Sequence, residues 1–348
     1  MTISEKRSLT EESAQGETWE ERPVWGEFSG GETDVVGEYR EPTAEQKEKF
    51  QKRLGRLSEI FTEADFQWYL DGATNISLYL GKQMRDHKDL DISVFREDLP
   101  KLRKLLARQG FDIFVNFIKG GRHLMSLATA EELAAADRTD LSICQVGVDG
   151  KIKKDADEPF NFVDLHVHHK DGNGDTVIFY NGATLPKEFF VPIKKELPNG
   201  KIINLSQPAI VAYHKLHTNR PYDLTDLRKL RPFLGEEDFK MLREGLENEI
   251  TGKVRNKLQE AWDLLSPEFK MTSNPRAIAD KFFTHPDLKG RKDDPKVFAY
   301  VSAIAKYISE NPRASFEDFF NESVSILKLR EQIEKKLKIL DELEKIKD

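Results

Sequence analysis

Three things that this chain of 348 residues lacks narrow its reading before any motif is considered. It has one cysteine, Cys144, so it can form no internal disulfide and no cysteine-rich zinc cage, and any metal must be held by oxygen or imidazole. No window approaches the roughly 18 uninterrupted apolar residues of a membrane span, and the opening MTISEKRSLTEESAQ has no apolar core of the kind a secretory signal carries. The expected location is therefore the cytoplasm. Nor is there a surplus of positive charge. The formal net charge is -7, and residues 1–44, with eleven acidic and four basic side chains, account for all of it. The remainder is formally neutral, which argues against an extended nucleic-acid surface, since phosphate tracking needs clustered Lys and Arg.

What is present divides the chain into three. Residues 1–44 are rich in Glu, Gly, Ser and Thr with few branched apolar side chains and read as a disordered acidic tail. Its Trp19, Trp25 and Phe28, together with the last helix of the chain, are the candidate contacts for a protein partner. Residues 45–205 alternate strand and helix. Thr43 is placed to cap a helix over 44–62, FQWYLDGA reads as a buried strand and TNISLYLG as a helix closed by Gly81. A strand over 89–95, a helix ending at Gly110 and a strand in FDIFVNFI follow. Residues 119–160 show mixed periodicity and read as an excursion from the domain. KDGNG and PNG each mark a hairpin. From 206 to 348 the pattern is helical, with Ser206 placed to cap the first of these helices, and Ile326, Leu329, Ile333, Leu340 and Leu343 give the last one an apolar stripe that suits a docked helix or a short coiled coil. The fold class is α/β (α+β): a mixed sheet flanked by helices, followed by a C-terminal helical region.

The chemistry concentrates in GKQMRDHKDLDISVF, residues 81–95. On a strand, Asp89, Asp91 and Ser93 share one face while Leu90, Ile92 and Val94 share the other. Two carboxylates at i and i+2 stand about 6.5–7 Å apart at the backbone, and in a cleft their repulsion is on the order of 2–3 kcal/mol. A hard divalent ion such as Mg²⁺ relieves it and leaves positions open for phosphate oxygens and water. FVDLHVHH supplies a second alternating strand with Asp164, His166 and His168 on one face. If the two strands are neighbours, Asp164 joins Asp89 and Asp91 around a pair of metal ions, the arrangement of phosphoryl and nucleotidyl transfer. A rival set is a metal hydrolase built from His87, His166, His168 and His169 with the same aspartates.

DGATNISLYLGKQMRDHKDLDISVF resembles the signature of the DNA polymerase β-like nucleotidyltransferases, in the small-molecule branch that holds the aminoglycoside and lincosamide nucleotidyltransferases. That branch has a small-residue turn, a helix ending in Leu-Gly, then Arg-x-His-x-Asp-x-Asp. Gly72 and Ala73, Leu80 and Gly81, and Arg85, His87, Asp89 and Asp91 fill these places, VDLHV at 163–167 looks like the third-acid strand, and Lys215, Asp223 and Asp226 match a later helical segment. The resemblance spans roughly residues 50–232. It implies an ATP-using, Mg²⁺-dependent adenylyltransferase that moves NMP from NTP to a hydroxyl of a small-molecule acceptor and releases pyrophosphate. Asp89, Asp91 and Asp164 would be its catalytic and metal-binding residues, and Gly72, Ala73, Thr74, Arg85 and Lys215 would meet the nucleotide. Ala73 departs from the usual Gly or Ser. Two other classes remain in view: a non-catalytic binding module of the same fold, and a toxin-like transferase acting on tRNA or protein.

Overall fold

Thr43 caps the first helix as the sequence predicts. Its Oγ1 accepts from the Gln46 amide at 3.2 Å, and the Gln46 side chain accepts from the Thr43 amide at 2.8 Å, a reciprocal cap. The computed structural model describes residues 26–27, 41–87, 90–119, 122–134, 141–149, 151–153, 158–170, 174, 176–178, 184–218, 222–249, 258–259, 262–263 and 295–346.

In chain order the strands are β1 (Gly26–Glu27), β2 (Trp68–Asp71), β3 (Asp91–Phe95), β4 (Phe111–Lys119), β5 (Arg122–Leu127), β6 (Leu141–Gln145), β7 (Val163–Lys170), β8 (Thr176–Ile178), β9 (Thr184–Pro186), β10 (Ile193–Glu196) and β11 (Ile202–Leu205). The helices are α1 (Ala44–Phe61), α2 (Ala73–Tyr79), α3 (Leu99–Arg108), α4 (Ala130–Ala134), α5 (Pro208–Thr218), α6 (Asp223–Leu230), α7 (Glu236–Glu249), α8 (Pro295–Glu310), α9 (Phe316–Glu322) and α10 (Val324–Glu344).

The strands lie in the order β1-β5-β4-β6-β7-β3-β2-β11-β10, with β8 on β7. The sheet is mixed: β3 runs parallel to β7, and β11 to β2, while β2 and β3 are antiparallel. Alternation along the central strands decides what each face does. Leu70, Ile92, Val94, Leu165 and Val167 point to one side, where Phe50, Leu54, Leu57 and Ile60 of α1 and Leu99, Leu102 and Leu106 of α3 cover them. Ile92 is fully buried there, and Ile92→Val is expected to lower stability by about 1 kcal/mol, measured as a shift in urea midpoint. The opposite side carries the polar members of the same strands.

The structure corrects several sequence expectations. Residues 119–160 are no excursion: β5 pairs with β4, and β6 sits between β4 and β7 in the middle of the sheet. β6 reads LSICQ, buried at its first four residues, so both faces are covered and it has no polar alternation to betray it. Within the segment expected to be a disordered tail, Gly26–Glu27 pair with Leu124 and Met125 on β5; Trp19, Trp25 and Phe28 lie outside the described residues. The division into compact units falls after Leu242, not at 205, because the buried run Ala209–Tyr213 of α5 belongs to the sheet unit. Ser206 does not cap α5. Its hydroxyl donates to Leu70 O at 3.2 Å and Asp71 Oδ1 at 3.1 Å.

The second unit spans Arg243–Lys345, with residues 181–184. Trp262 stacks on Phe319, with Val301, Ile304, Ile308, Phe316 and Phe320 around them. Helix α10 buries Ile326, Ile333 and Leu340 at steps of seven. Arg243 pairs with Asp341 and Glu344, and Lys336 with Glu249, so α10 is docked within its own chain. No helix among the described residues is long and apolar enough to cross a membrane.

Candidate active site

Asp71 ends β2, Asp91 begins β3 and Asp164 lies one residue into β7. The register pairs Asp71 with Asp91 and Asp91 with Asp164, so three carboxylates form a row across adjacent strands about 4.8 Å apart, all directed to one face. Ser142 of β6 continues the row beside Asp164. Its hydroxyl donates to Asp164 Oδ1 at 3.3 Å and accepts from Asn116 Nδ2 at 3.0 Å. Asp89 lies outside the described residues.

Gly72 closes over this row. Its φ of 68° and ψ of -159° suit glycine alone, and a Cβ built there would stand 1.9 Å from Asp91 Oδ2. The Asp91 carboxylate therefore occupies the space that a side chain at 72 would fill. Helix α2 starts at the next residue, Ala73, with Gly72 as its N-cap and no side-chain cap. Thr74 is buried.

Arg85 and Lys215 are brought together, at a distinct cluster. Lys215 Nζ lies 3.1 Å from Asp223 Oδ1 and 2.9 Å from Asp226 Oδ2, and Arg85 Nη2 lies 3.7 Å from Asp226 Oδ2. Both cations also face the Tyr222 ring, at 4.6 Å for Arg85 and 5.6 Å for Lys215. Burial pulls the Lys215 ammonium toward neutrality, but Asp226 and Asp223 outweigh it and hold the group above its ordinary value.

Residues 53–177 match the aminoglycoside-2''-adenylyltransferase family. That stretch runs from within α1 to β8 and includes Asp71, Asp91 and Asp164. Among solved structures, the chain is similar to the lincosamide antibiotic adenylyltransferase LnuA with lincomycin bound, at 15% identity and a TM-score of 0.35 over 53% of this chain and 97% of that one. It is similar to the antibiotic-resistance factor ANT(2'')-Ia at 11% identity and a TM-score of 0.36, over 58% and 92%. An antigenic nucleotidyltransferase-like protein from Paracoccidioides brasiliensis follows at 12% identity and 0.31, over 61% and 91%. With all three scores below 0.5, the roles proposed below rest on this chain's own residues. No curated protein matches the chain.

The described histidines of the sheet unit do not assemble the hydrolase set. His87 Nε2 is 2.8 Å from Ser77 Oγ, its ring stacks on Phe50, and its carbonyl accepts from Arg53. Burial, with the charges of Arg85, Lys215 and Arg53, lowers it to about 3, so it is a neutral bracket between α2 and the acid motif. His169 faces Arg96 instead, at 3.0 Å. His168 is fully buried and lowered to about 3 by that burial.

What converges is a group in which sequence reasoning saw only His166. Asp71, fully buried, lies 3.2 Å from His166 Nδ1 and 2.8 Å from His214 Nε2, both through Oδ2. Ser93 Oγ donates to the same oxygen at 2.8 Å, while the Gly72 amide and Ser206 Oγ donate to Oδ1 at 2.8 and 3.1 Å. Burial alone would raise the Asp71 carboxyl, but His214 and His166 hold it well below the carboxylate range. His166 is raised to about 9: burial works against the charge, and the bond to Asp71 with the fields of Asp71, Asp91 and Asp164 prevails. A signal for Asp71 existed in its position at the last residue before the turn.

Proposed function

We propose that the domain moves AMP from ATP to a hydroxyl of a small-molecule acceptor and releases pyrophosphate. The observation that carries this reading is the in-register pair Asp91 and Asp164 beneath the Gly72 turn. These residues fit Mg²⁺. They offer hard oxygen donors on adjacent strands, and a position with no Cβ leaves the Asp91 carboxylate its room. Asp91 and Asp164, with Asp89 of the same motif, would hold two such ions, which when bound neutralise the triphosphate and lower the cost of ionising the acceptor hydroxyl.

The chain's own residues do the rest. Asp164 takes the proton of the acceptor hydroxyl at its carboxylate, oriented by the hydrogen bonds that run from Asn116 through Ser142. Gly72 and Ala73 keep side-chain bulk away from the turn so that its backbone approaches the phosphates, and Thr74 anchors the start of α2 from inside. Arg85, the more accessible of the two cations, and Lys215 behind it supply positive potential for the nucleotide.

The test is incubation of the purified protein with Mg²⁺ and α-labelled ATP or GTP against aminoglycosides, lincosamides and total tRNA. The expected result is label on a small-molecule acceptor, lost in Asp91→Asn and Asp164→Asn. Absence of both transfer and nucleotide binding would overturn the reading in favour of a non-catalytic module, and label on tRNA would overturn the acceptor class.

A further inference from the structure

The geometry points to a second metal site, separate from the acids of transfer: Asp71, His166 and His214 form a two-histidine, one-carboxylate site for a borderline divalent transition ion, Zn²⁺ or a close analogue. Their ligand atoms all lie within 4.8 Å of one another. The two shorter spacings, 2.8 and 3.2 Å around Asp71 Oδ2, are close to those of a tetrahedral ion, whose ligands at 2.0–2.1 Å stand about 3.3 Å apart. The two imidazole rings stand 4.9 Å apart between centroids at 26°, and one nitrogen of each lies within 3.2 Å of Asp71 Oδ2.

The hydrogen-bond inventory favours an ion over a plain ion-pair triad. Oδ2 of Asp71 is met by Ser93 Oγ, His166 Nδ1 and His214 Nε2. A carboxylate oxygen has two lone pairs; Ser93 Oγ and a donating His166 Nδ1 fill both, and the 2.8 Å approach of His214 Nε2 to the same oxygen is an ion-pair contact without hydrogen-bond geometry. The crowding ends if the imidazoles present lone pairs to a cation that Asp71 shares, leaving Ser93 as the donor to Oδ2. The remaining contacts then become the outer shell. Ser206 and the Gly72 amide fix Oδ1 and so orient the ligating carboxylate. Ligand type sets the class: two imidazoles and one carboxylate suit Zn²⁺, Co²⁺ or Fe²⁺ better than Mg²⁺. The ion would fasten β2, β7 and α5 together at the residue that precedes the Gly72 turn.

Co²⁺ is the probe, because its visible ligand-field bands report coordination and the only cysteine is buried elsewhere in the sheet. The expected result is one Co²⁺ per chain with a spectrum of nitrogen and oxygen ligands and no thiolate band, displaced by Zn²⁺. The spectrum persists in the Asp91→Asn/Asp164→Asn variant, which neutralises both described acids of the transfer site. It disappears in His214→Gln, and Ser206→Ala weakens binding by about 10–100-fold through the outer shell. No spectrum in the unaltered protein, a spectrum lost with Asp91 and Asp164, or one indifferent to His214→Gln would each overturn the site. Should His214→Gln fail to fold, the unaltered protein and the Asp91→Asn/Asp164→Asn variant still decide the question. None of these readouts depends on transfer activity, so the site and the proposed reaction can fail separately.

Discussion

Gly72→Val is expected to reduce nucleotidyl transfer by about 100-fold or more and to cost several kcal/mol of stability. Two independent effects act at that position. The backbone, at φ 68° and ψ -159°, lies in a region closed to residues with a Cβ, a strain of about 1–3 kcal/mol that branching at Cβ increases. The new Cβ would also stand 1.9 Å from Asp91 Oδ2 and 2.8 Å from its Cγ. Asp91 cannot retreat with its strand, since β3 is held in register by β2 on one side and β7 on the other. The carboxylate must therefore swing away from Asp164, and a displacement of about 1 Å at a reacting centre costs on the order of 100-fold. Gly81→Ala is the control. Gly81 has a similar φ of 69°, yet nothing lies within 4 Å of its added Cβ, so it should lose about 1–2 kcal/mol of stability while its transfer rate stays close to that of the unaltered protein. Steady-state transfer and urea unfolding of both variants separate the two effects. Unimpaired transfer by Gly72→Val would remove the turn from its proposed place over the reacting carboxylates.

Much of this arrangement is legible in the sequence wherever one strand face is apolar and the other polar. Asp89-x-Asp91 and Asp164-x-His166 carry that alternation, which is why the pairing of Asp91 with Asp164 follows from two short patterns. The same rule fails where both faces are covered. Strand β2 is buried at all four positions, so Asp71 is surrounded by Trp68, Tyr69 and Leu70 with no polar partner in phase, and its role depends on partners 95 and 143 positions away, His166 and His214. Strand β6 is hidden for the same reason. Lys215 illustrates a different limit: a lysine on a helix reads as solvated, and only the approach of Asp223 and Asp226 from α6 makes burial tolerable. Ser206 looks like a cap because hydroxyls before helices often are; here the carbonyl of Leu70 and the carboxylate of Asp71 compete for it and win.

Lys215→Met is expected to destabilise the protein by about 3 kcal/mol near neutral pH, in the lower part of the range for breaking a buried ion pair from one side. Methionine keeps most of the volume, so packing changes little and the loss is electrostatic. Asp223 and Asp226 are both almost fully buried, and removal of the ammonium leaves them facing each other, with Arg85, 3.7 Å from Asp226, as the described counter-charge nearby. Arg85 is what keeps the loss from the top of the range. The sign with pH distinguishes this from a packing defect. In the unaltered protein the Lys215 ammonium is held above its ordinary value, so its contribution is fully present below the unfolded value and is lost only as pH rises through the folded one, in strong alkali. The deficit of Lys215→Met should therefore hold through the neutral range and shrink only in strong alkali, where the unaltered protein loses the same contribution. Adding Asp223→Asn to Lys215→Met should recover part of the loss near neutral pH, because neighbours in one charge network are not additive. Urea midpoints of the unaltered protein and of the single and double variants, near neutral pH and in strong alkali, measure these quantities. A deficit that persists unchanged in strong alkali, and is unrelieved by Asp223→Asn, would mean that Lys215 holds α5 to α6 through its methylene chain and not through its charge.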